Sequence, residues 1–354
     1  LGMSDRTVVY VATDHGFDQG ARVHLSAPEV WLVSEERLAA PFAGEGDQKD
    51  VAATILARFG IDPENLVPSL SGRVFATVPQ ETARVEADLV YATVDGVDLT
   101  LDLYRPSSAG PHPAIVFVHG GGWTAGDKSM WEDEALRFAD QGYVGISVNY
   151  RLAPTYPFPA AVEDCKAAVR WLRSHAQELD VDPQRIGAMG SSAGGHLVAM
   201  LGVTDGSEGL EGTSGDLSLS SRVQAVVDYF GPTDLTAAAD STDSAILAFL
   251  GGTCAQTPVA CRQASPVKYA SSDDPSFLIV HGTRDARVPY QQSVALRDAL
   301  QTVGVDVELL LLEGAGHGWR TYGATDRKYY ETALSAAIAF FGRCLAASQV
   351  AIGG

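Results

Sequence analysis

The chain has little basic charge. Lys and Arg number 25 against 44 Asp and Glu, a formal net charge of −19, and no basic run occurs. Phosphate contacts need clustered Lys or Arg, so nucleic-acid binding is disfavoured. The acidity itself bears on solubility and says little about fold. No apolar run reaches membrane-spanning length; Leu309–Leu312 is far too short. Cysteine is scarce as well. Cys165, Cys254, Cys261 and Cys344 do not make a disulfide framework in 354 residues. Cys254 and Cys261 are close enough to close a short loop in an oxidising compartment, and free thiols are the other reading. After Leu1, which is not a methionine, there is neither a charged n-region nor an apolar h-region. No signal peptide is visible on that reading, and a cytoplasmic location is favoured. What the chain does have is 46% hydrophobic content, ample for one large domain or one domain plus a small extension.

From about residue 80 short β-rich runs alternate with long amphipathic ones. Strands are expected at Val85–Val94, Leu99–Tyr104, Ala114–His119, Val144–Asn149, Arg185–Gly190, Ala225–Phe230, Phe277–His281 and Val307–Leu312. Helices are expected at Met130–Gln141, Pro159–Glu178, Ala193–Gly202, Pro289–Val303 and Arg327–Ala347. Several strands are nearly continuous apolar runs, as in a mostly parallel sheet covered by helices on both faces. The alternation argues for an open α/β fold, in which sites form at the carboxyl ends of strands. Segment 233–270 breaks the pattern and reads as a short cap-like insertion, helical over Asp243–Leu250. The organisation expected is a small α/β N-terminal extension at 1–73, a linker at 74–84, a main domain at 85–347 and a tail at 348–354.

Two adjacent serines stand in Gly190-Ser191-Ser192-Ala193-Gly194. A nucleophile on a tight strand-to-helix turn leaves no room for side chains two places before and two after it. Glycine fills both places around Ser192, while Met189 and Ala193 stand there for Ser191. Ser192 is therefore the expected tip of the turn. Three other features also follow strands: His119-Gly120-Gly121-Gly122-Trp123, Gly282-Thr283-Arg284-Asp285 and Gly314-Ala315-Gly316-His317. Serine needs a base, histidine has a suitable pKa, and an acid fixes the imidazole tautomer. The glycine loop can offer N–H groups to an oxyanion together with Ala193, at the positive end of the following helix. The order serine, acid, histidine is that of α/β-hydrolases.

The motifs HGGGW, NYRLAP..PFPAAVEDC (Asn149–Cys165), GSSAGGHL, ASPVKYA, HGTRDARVP and GAGHG make the chain from about Val85 to Ala347 resemble one group of α/β-hydrolases. That group comprises the hormone-sensitive-lipase-like and bacterial feruloyl-esterase-like branches. The resemblance implies Ser192 as nucleophile, Asp285 as acid and His317 as base, with Gly121, Gly122 and Ala193 as oxyanion donors. It implies no cofactor. Many hormone-sensitive-lipase-like members carry Asp before the nucleophile. Ser191 stands there instead, which places the chain nearer the feruloyl-esterase-like branch. Trp123, Ser191 and Trp319 are candidate pocket residues, with ordinary packing as the alternative for the two tryptophans.

Among the remaining polar residues, His281 ends a strand and reads as a structural hydrogen-bonding group. His196 reads as core packing, His119 as a brace for the glycine loop and Tyr150-Arg151 as architectural. Asp234 is a rival acid. Glu163 sits in a helix that begins too far along. Residues 8–73, with VVYVATDHGFDQGARVHLSAPEVWL and GDQKDVAATILARFGIDPENL, resemble the C-terminal end of alkaline-phosphatase-superfamily hydrolases. Asp14, His15 and His24 match metal-binding positions there. The segment is too short to hold the rest of such a site, so the reading is a remnant or the tail of a fused protein, with no metal bound.

The expected activity is hydrolysis of small soluble carboxylic esters, feruloyl or acetyl esters being suggested by the resemblance. The rivals are an arylformamidase or peptidase-like amide hydrolase, a non-catalytic binding protein on the same fold, and a metal-dependent phosphodiesterase. The expected partner is a small-molecule ester, and a homo-oligomer is compatible with the sequence.

Overall fold

The structure, a computed structural model, describes residues 11–13, 31–33, 83–238, 243–321 and 324–346. The chain divides into two units, Leu1–Thr82 and Ala83–Gly354. In the first, β1 (Val11–Thr13) pairs antiparallel with β2 (Trp31–Val33). The metal-site candidates Asp14, His15 and His24, nearly all of the expected linker and the tail at 348–354 lie outside the described residues.

The second unit opens with an antiparallel hairpin, β3 (Arg84–Val94) and β4 (Val97–Arg105). Asp95 and Gly96 close it with φ of 52° and 77°. A two-residue turn with both φ positive matches the twist of the flanking strands, and Asp-Gly tolerates that conformation. The chain then alternates. β5 (His112–Val118), α1 (Glu132–Asp140), β6 (Val144–Val148), α2 (Ala160–Ser174) and β7 (Val181–Ser191) lead to α3 (Ala193–Val203) and β8 (Ala225–Tyr229). Two short helices of the insertion follow, α4 (Ser244–Leu250) and α5 (Pro258–Gln263). The order ends with β9 (Ser276–Gly282), α6 (Gln291–Thr302), β10 (Val307–Leu312) and α7 (Arg327–Cys344).

These strands form one eight-stranded sheet in the order β10-β9-β8-β7-β5-β6-β4-β3. All neighbours from β10 to β6 are parallel, and β4 and β3 close one edge antiparallel. Alternate residues of each strand feed two cores. Ala114, Val116 and Val118 of β5 join Val162, Val169, Leu197, Leu201 and Leu296 on one face, the side of α2, α3 and α6. Ile115 and Phe117 join Phe138, Leu334, Phe340 and Phe341 on the other, the side of α1 and α7. With both faces covered, the parallel strands have no polar side, which is why they read as unbroken apolar runs. This is the α/β-hydrolase architecture expected from the sequence.

One departure has a clear cause. β7 begins at Val181, not Arg185, because Val181 pairs with His112 ahead of a register irregularity, before Ile186 pairs with Ala114. Asp182-Pro183-Gln184 looks like a loop by composition but runs on as strand. The insertion, helical from Ser244 as expected, starts with an N-cap in which the Asp243 carboxylate accepts from Ala245 N–H at 2.8 Å. A Cys254–Cys261 disulfide ties the loop after α4 to α5, which decides between the two cysteine readings for this structure. Among the described residues no helix is long and apolar enough to cross a membrane.

Candidate active site

The turn between β7 and α3 is as tight as the glycine pattern requires. Ser192 has φ 55° and ψ −118°, outside the ordinary range of a residue with a side chain. Its N–H donates to the Tyr229 carbonyl at 2.8 Å, which anchors the turn to β8. A Cβ on Gly190 would stand 2.2 Å from the Gly194 carbonyl oxygen. One on Gly194 would stand 2.0 Å from that of Val118. Both obstacles are backbone and cannot swing aside. We predict that Gly194→Ala lowers stability by about 1–3 kcal/mol or prevents folding, as overpacking against fixed atoms does. A thermal melt of the purified variant checks this, and an unchanged Tm would refute the packing argument.

Ser192 Oγ lies 2.9 Å from His317 Nε2, and His317 Nδ1 lies 2.7 Å from Asp285 Oδ2. The other carboxylate oxygen, Oδ1, accepts the N–H groups of Arg287 and Val288, each at 2.9 Å. Burial favours the neutral acid, but hydrogen bonds from His281, His317 and Val288 N–H outweigh it. They hold the Asp285 carboxyl well below the usual carboxylate range. The loops that carry Asp285 and His317 are sewn together. Arg284 N–H donates to the Ala315 carbonyl at 2.9 Å, and Gly314 N–H to the Thr283 hydroxyl at 2.9 Å. Ser192, Asp285 and His317 thus arrive from the ends of β7, β9 and β10; β9 and β10 are neighbours, and β8 separates them from β7.

The glycine loop leaves β5 beside this turn. A Cβ on Gly120 would meet the Ser191 carbonyl oxygen at 2.8 Å and Ser192 Cβ at 3.5 Å. Gly121 and Gly122 have φ of 112° and 61°, conformations that glycine adopts without penalty. The Gly121 carbonyl accepts from Thr124 and Ala125 N–H at 3.2 and 3.1 Å, so the loop curls on its carbonyl side. Ala193 is the first residue of α3, where an N–H has no intrahelical partner. His119 braces the base of the loop. Its ring stacks on Tyr150 at 4.3 Å, its Nδ1–H donates to the Gly120 carbonyl at 2.7 Å, and Tyr150 Oη donates to the His119 carbonyl at 3.0 Å. Arg151, next in the chain, is held by Asp164 through Nε and Nη2 at 2.8–3.0 Å.

The candidate pocket tryptophans turn inward. Trp123 is 3% exposed, stacks on Phe249 at 4.3 Å and donates from Nε1 to His196 Nδ1 at 3.2 Å. His196 in turn donates from Nε2 to the Ala264 carbonyl at 2.8 Å. Burial pushes its pKa down to about 4, so it is neutral, as an acceptor for Trp123 must be. Trp319 is 4% exposed and packs edge-on against Tyr229 and Phe230 at 5.1 and 4.6 Å. Ser191 is half-buried beside the glycine loop. Asp234, the rival acid, is engaged elsewhere, with Thr236 and with Lys268 Nζ at 3.3 Å.

Sequence reasoning missed Phe230. It follows β8 with φ 45° and sets its ring 4.8 Å from that of His317, at 61°. Its position directly after an apolar strand is the one signal that could have pointed to it. Arg287 was also missed. Its guanidinium, over half exposed, lies 3.7 Å from where a Cβ on Gly122 would stand and 3.7 Å from Asp243.

Comparison with known proteins places this geometry in context. Esterase LipC of Mycobacterium tuberculosis is 33% identical over 228 residues, 62% of this chain and 56% of that protein. The probable carboxylic ester hydrolase LipM of the same organism is 31% identical over 57% of this chain and 49% of its own length. The chain thus spans about half the length of these curated relatives. The propionate-bound Est2 esterase of Thermogutta terrifontis superposes with a TM-score of 0.64 at 32% identity, covering 76% of this chain and 98% of that one. A truncated carbohydrate esterase from gut microbiota gives 0.65 at 29% identity, over 75% and 98%. The likeness of residues 8–73 to the alkaline-phosphatase superfamily finds no support in these comparisons. The BD-FAE family model matches residues 101–300, from β4 through the glycine loop, Ser192 and Asp285 into α6; the chain belongs to the BD-FAE family of α/β-hydrolases.

Proposed function

We propose that this chain is a serine carboxylic ester hydrolase that cleaves small esters through an acyl-enzyme. The observation that carries the reading is the continuous hydrogen-bonded line Ser192–His317–Asp285 at the tip of a strained turn. Ser192 Oγ attacks the ester carbonyl as His317 Nε2 takes its proton. Asp285 holds the Nδ1–H tautomer and stabilises the imidazolium. The oxyanion is met by the N–H groups of Gly121, Gly122 and Ala193, with the positive end of α3 behind Ala193. The proton on His317 passes to the leaving alkoxide. A water molecule activated by the same imidazole then releases the acid and restores Ser192. No step calls for a cofactor.

Related names support the reading. LipC and LipM are an esterase and a probable carboxylic ester hydrolase, and the Thermogutta terrifontis esterase 2 has been phosphorylated by paraoxon, as an activated serine would be. For the acyl group we propose short chains, with acetyl or feruloyl esters of carbohydrates as natural substrates. The carbohydrate esterase among the similar structures supports that choice. The test is hydrolysis of p-nitrophenyl acetate, butyrate and octanoate, followed by methyl ferulate and an acetylated xylo-oligosaccharide. The expected result is a kcat/KM that falls from acetate to octanoate. No turnover on any of these esters would overturn the proposal.

A further inference from the structure

His281 stands outside the three residues of the proposed relay, yet its imidazole reaches the same carboxylate. It lies near the end of β9, is fully buried, and has its Nε2 3.3 Å from Asp285 Oδ2. That is the oxygen to which His317 Nδ1 donates at 2.7 Å. The surroundings fix where the His281 proton sits. The Val288 carbonyl, 2.9 Å from Nε2, can only accept, so Nε2 carries the hydrogen. Nδ1 then accepts from the Ser293 hydroxyl of α6 at 2.6 Å. The single Nε2–H points first to the Val288 carbonyl, and Asp285 Oδ2, 3.3 Å from the same nitrogen, is its second and weaker acceptor. Asp285 therefore has two backbone donors on Oδ1 and one histidine N–H from each side on Oδ2. Rotating the carboxylate about its Cβ–Cγ bond would break several of these at once.

We propose that His281 is a positioning residue, whose Nε2–H holds Oδ2 of Asp285 at the point where His317 docks and shares that oxygen's charge. This rests on the serine-hydrolase reading above and extends it by one residue. The arrangement has a chemical consequence. An oxygen that already accepts from His281 is a weaker partner for His317 than the same oxygen alone. Removing His281's N–H should loosen the carboxylate's orientation, which slows the reaction. It should also leave more of its charge to His317, which makes the imidazolium easier to form. The other groups facing His281 are Asp228 on β8, whose buried carboxyl interacts with it electrostatically, and the Phe230 ring at 6.3 Å. Neither is altered in the variants below.

The experiment compares His281→Leu, His281→Gln and His281→Asn with wild type on p-nitrophenyl acetate. It records kcat, KM and the pH profile of kcat/KM, with Ser192→Ala measured alongside. A Gln amide N–H falls where Nε2 does and reaches Asp285. An Asn amide falls where Nδ1 does and reaches only toward Ser293. The expected result for His281→Leu and His281→Asn is a fall in kcat of about tenfold or more, as small misplacements in a relay produce, with KM little changed. Their acid limb should also move to higher pH. His281→Gln should recover most of kcat and the wild-type limb. Wild-type kcat in His281→Leu overturns the proposal, and so does a fall with an unmoved limb and no recovery in His281→Gln. If His281→Leu does not fold, the Gln and Asn pair decides: equal kcat and equal limbs refute it. Turnover that persists in Ser192→Ala refutes the serine reading itself, a separate outcome that removes the basis of this proposal too.

Discussion

Replacing Ser192 by alanine should abolish ester hydrolysis, with a loss on the order of 10⁶ in kcat, while Ser191→Ala should leave an active enzyme. The two hydroxyls are neighbours in sequence but differ in geometry. Ser192 occupies the positive-φ position of the turn and its Oγ lies 2.9 Å from His317 Nε2. Ser191 is the last residue of β7, paired with Tyr229 of β8, with its Oγ on the glycine-loop side, 3.5 Å from where a Cβ on Gly120 would stand. Removing the Ser191 hydroxyl leaves the relay, the turn and the N–H donors in place. Some loss is expected there, because the side chain lies against the loop that meets the oxyanion. The measurement is kcat for p-nitrophenyl acetate with wild type and both variants, at matched concentrations of folded protein. A Ser192→Ala protein that keeps wild-type turnover, or a Ser191→Ala protein as dead as Ser192→Ala, would show that the relay does not run through Ser192 as argued.

The register of that turn was legible in the sequence because a backbone collision dictates it. Nothing larger than hydrogen fits at 190 and 194, so glycine there identifies 192 as the tip without knowledge of the fold. Parallel strands buried on both faces were legible for a similar reason, since no polar alternation survives in them. What stayed hidden depends on packing between elements distant in sequence. That His281 reaches Asp285 follows from the curl of the loop after β9 and from Ser293 one helix later. That Phe230 underlies His317 follows from the register of β8 beside β9. Trp123 and Trp319 sit in loops beside the relay, and composition alone gives no direction to an indole. Their partners, Phe249 and His196 for one and Tyr229 and Phe230 for the other, draw both into the core. Two long charged residues lie inside as well, unannounced by composition. Lys166 and Arg170 of α2 are almost wholly buried, yet an amphipathic reading would place them outside. The chain between α3 and β8 covers them and supplies Glu211 at 2.6 and 2.5 Å.

Asp285→Asn should cost on the order of 10³–10⁴ in kcat, although the replacement is nearly isosteric. The hydrogen-bond donors around the carboxylate determine which way the new amide points. Oδ1 accepts two backbone N–H groups, from Arg287 and Val288, and neither can move without the loop. The amide oxygen must stay with them, which puts the NH₂ group where Oδ2 was. There it faces His317 Nδ1 at 2.7 Å and His281 Nε2 at 3.3 Å, both donors in the wild type. A donor cannot satisfy a donor. His317 relieves the conflict by moving its proton to Nε2, so that Nδ1 accepts from the amide. The nitrogen facing Ser192 then carries a hydrogen and can no longer take the serine proton. His281 has no such escape, since the Val288 carbonyl requires its Nε2–H. The variant should therefore fold, lose catalysis at neutral pH and show the Nε2–H tautomer of His317 in nitrogen NMR, with the His281 tautomer unchanged. Wild-type kcat in Asp285→Asn, or a His317 that keeps its Nδ1–H, would mean that Asp285 does not set the tautomer of the base.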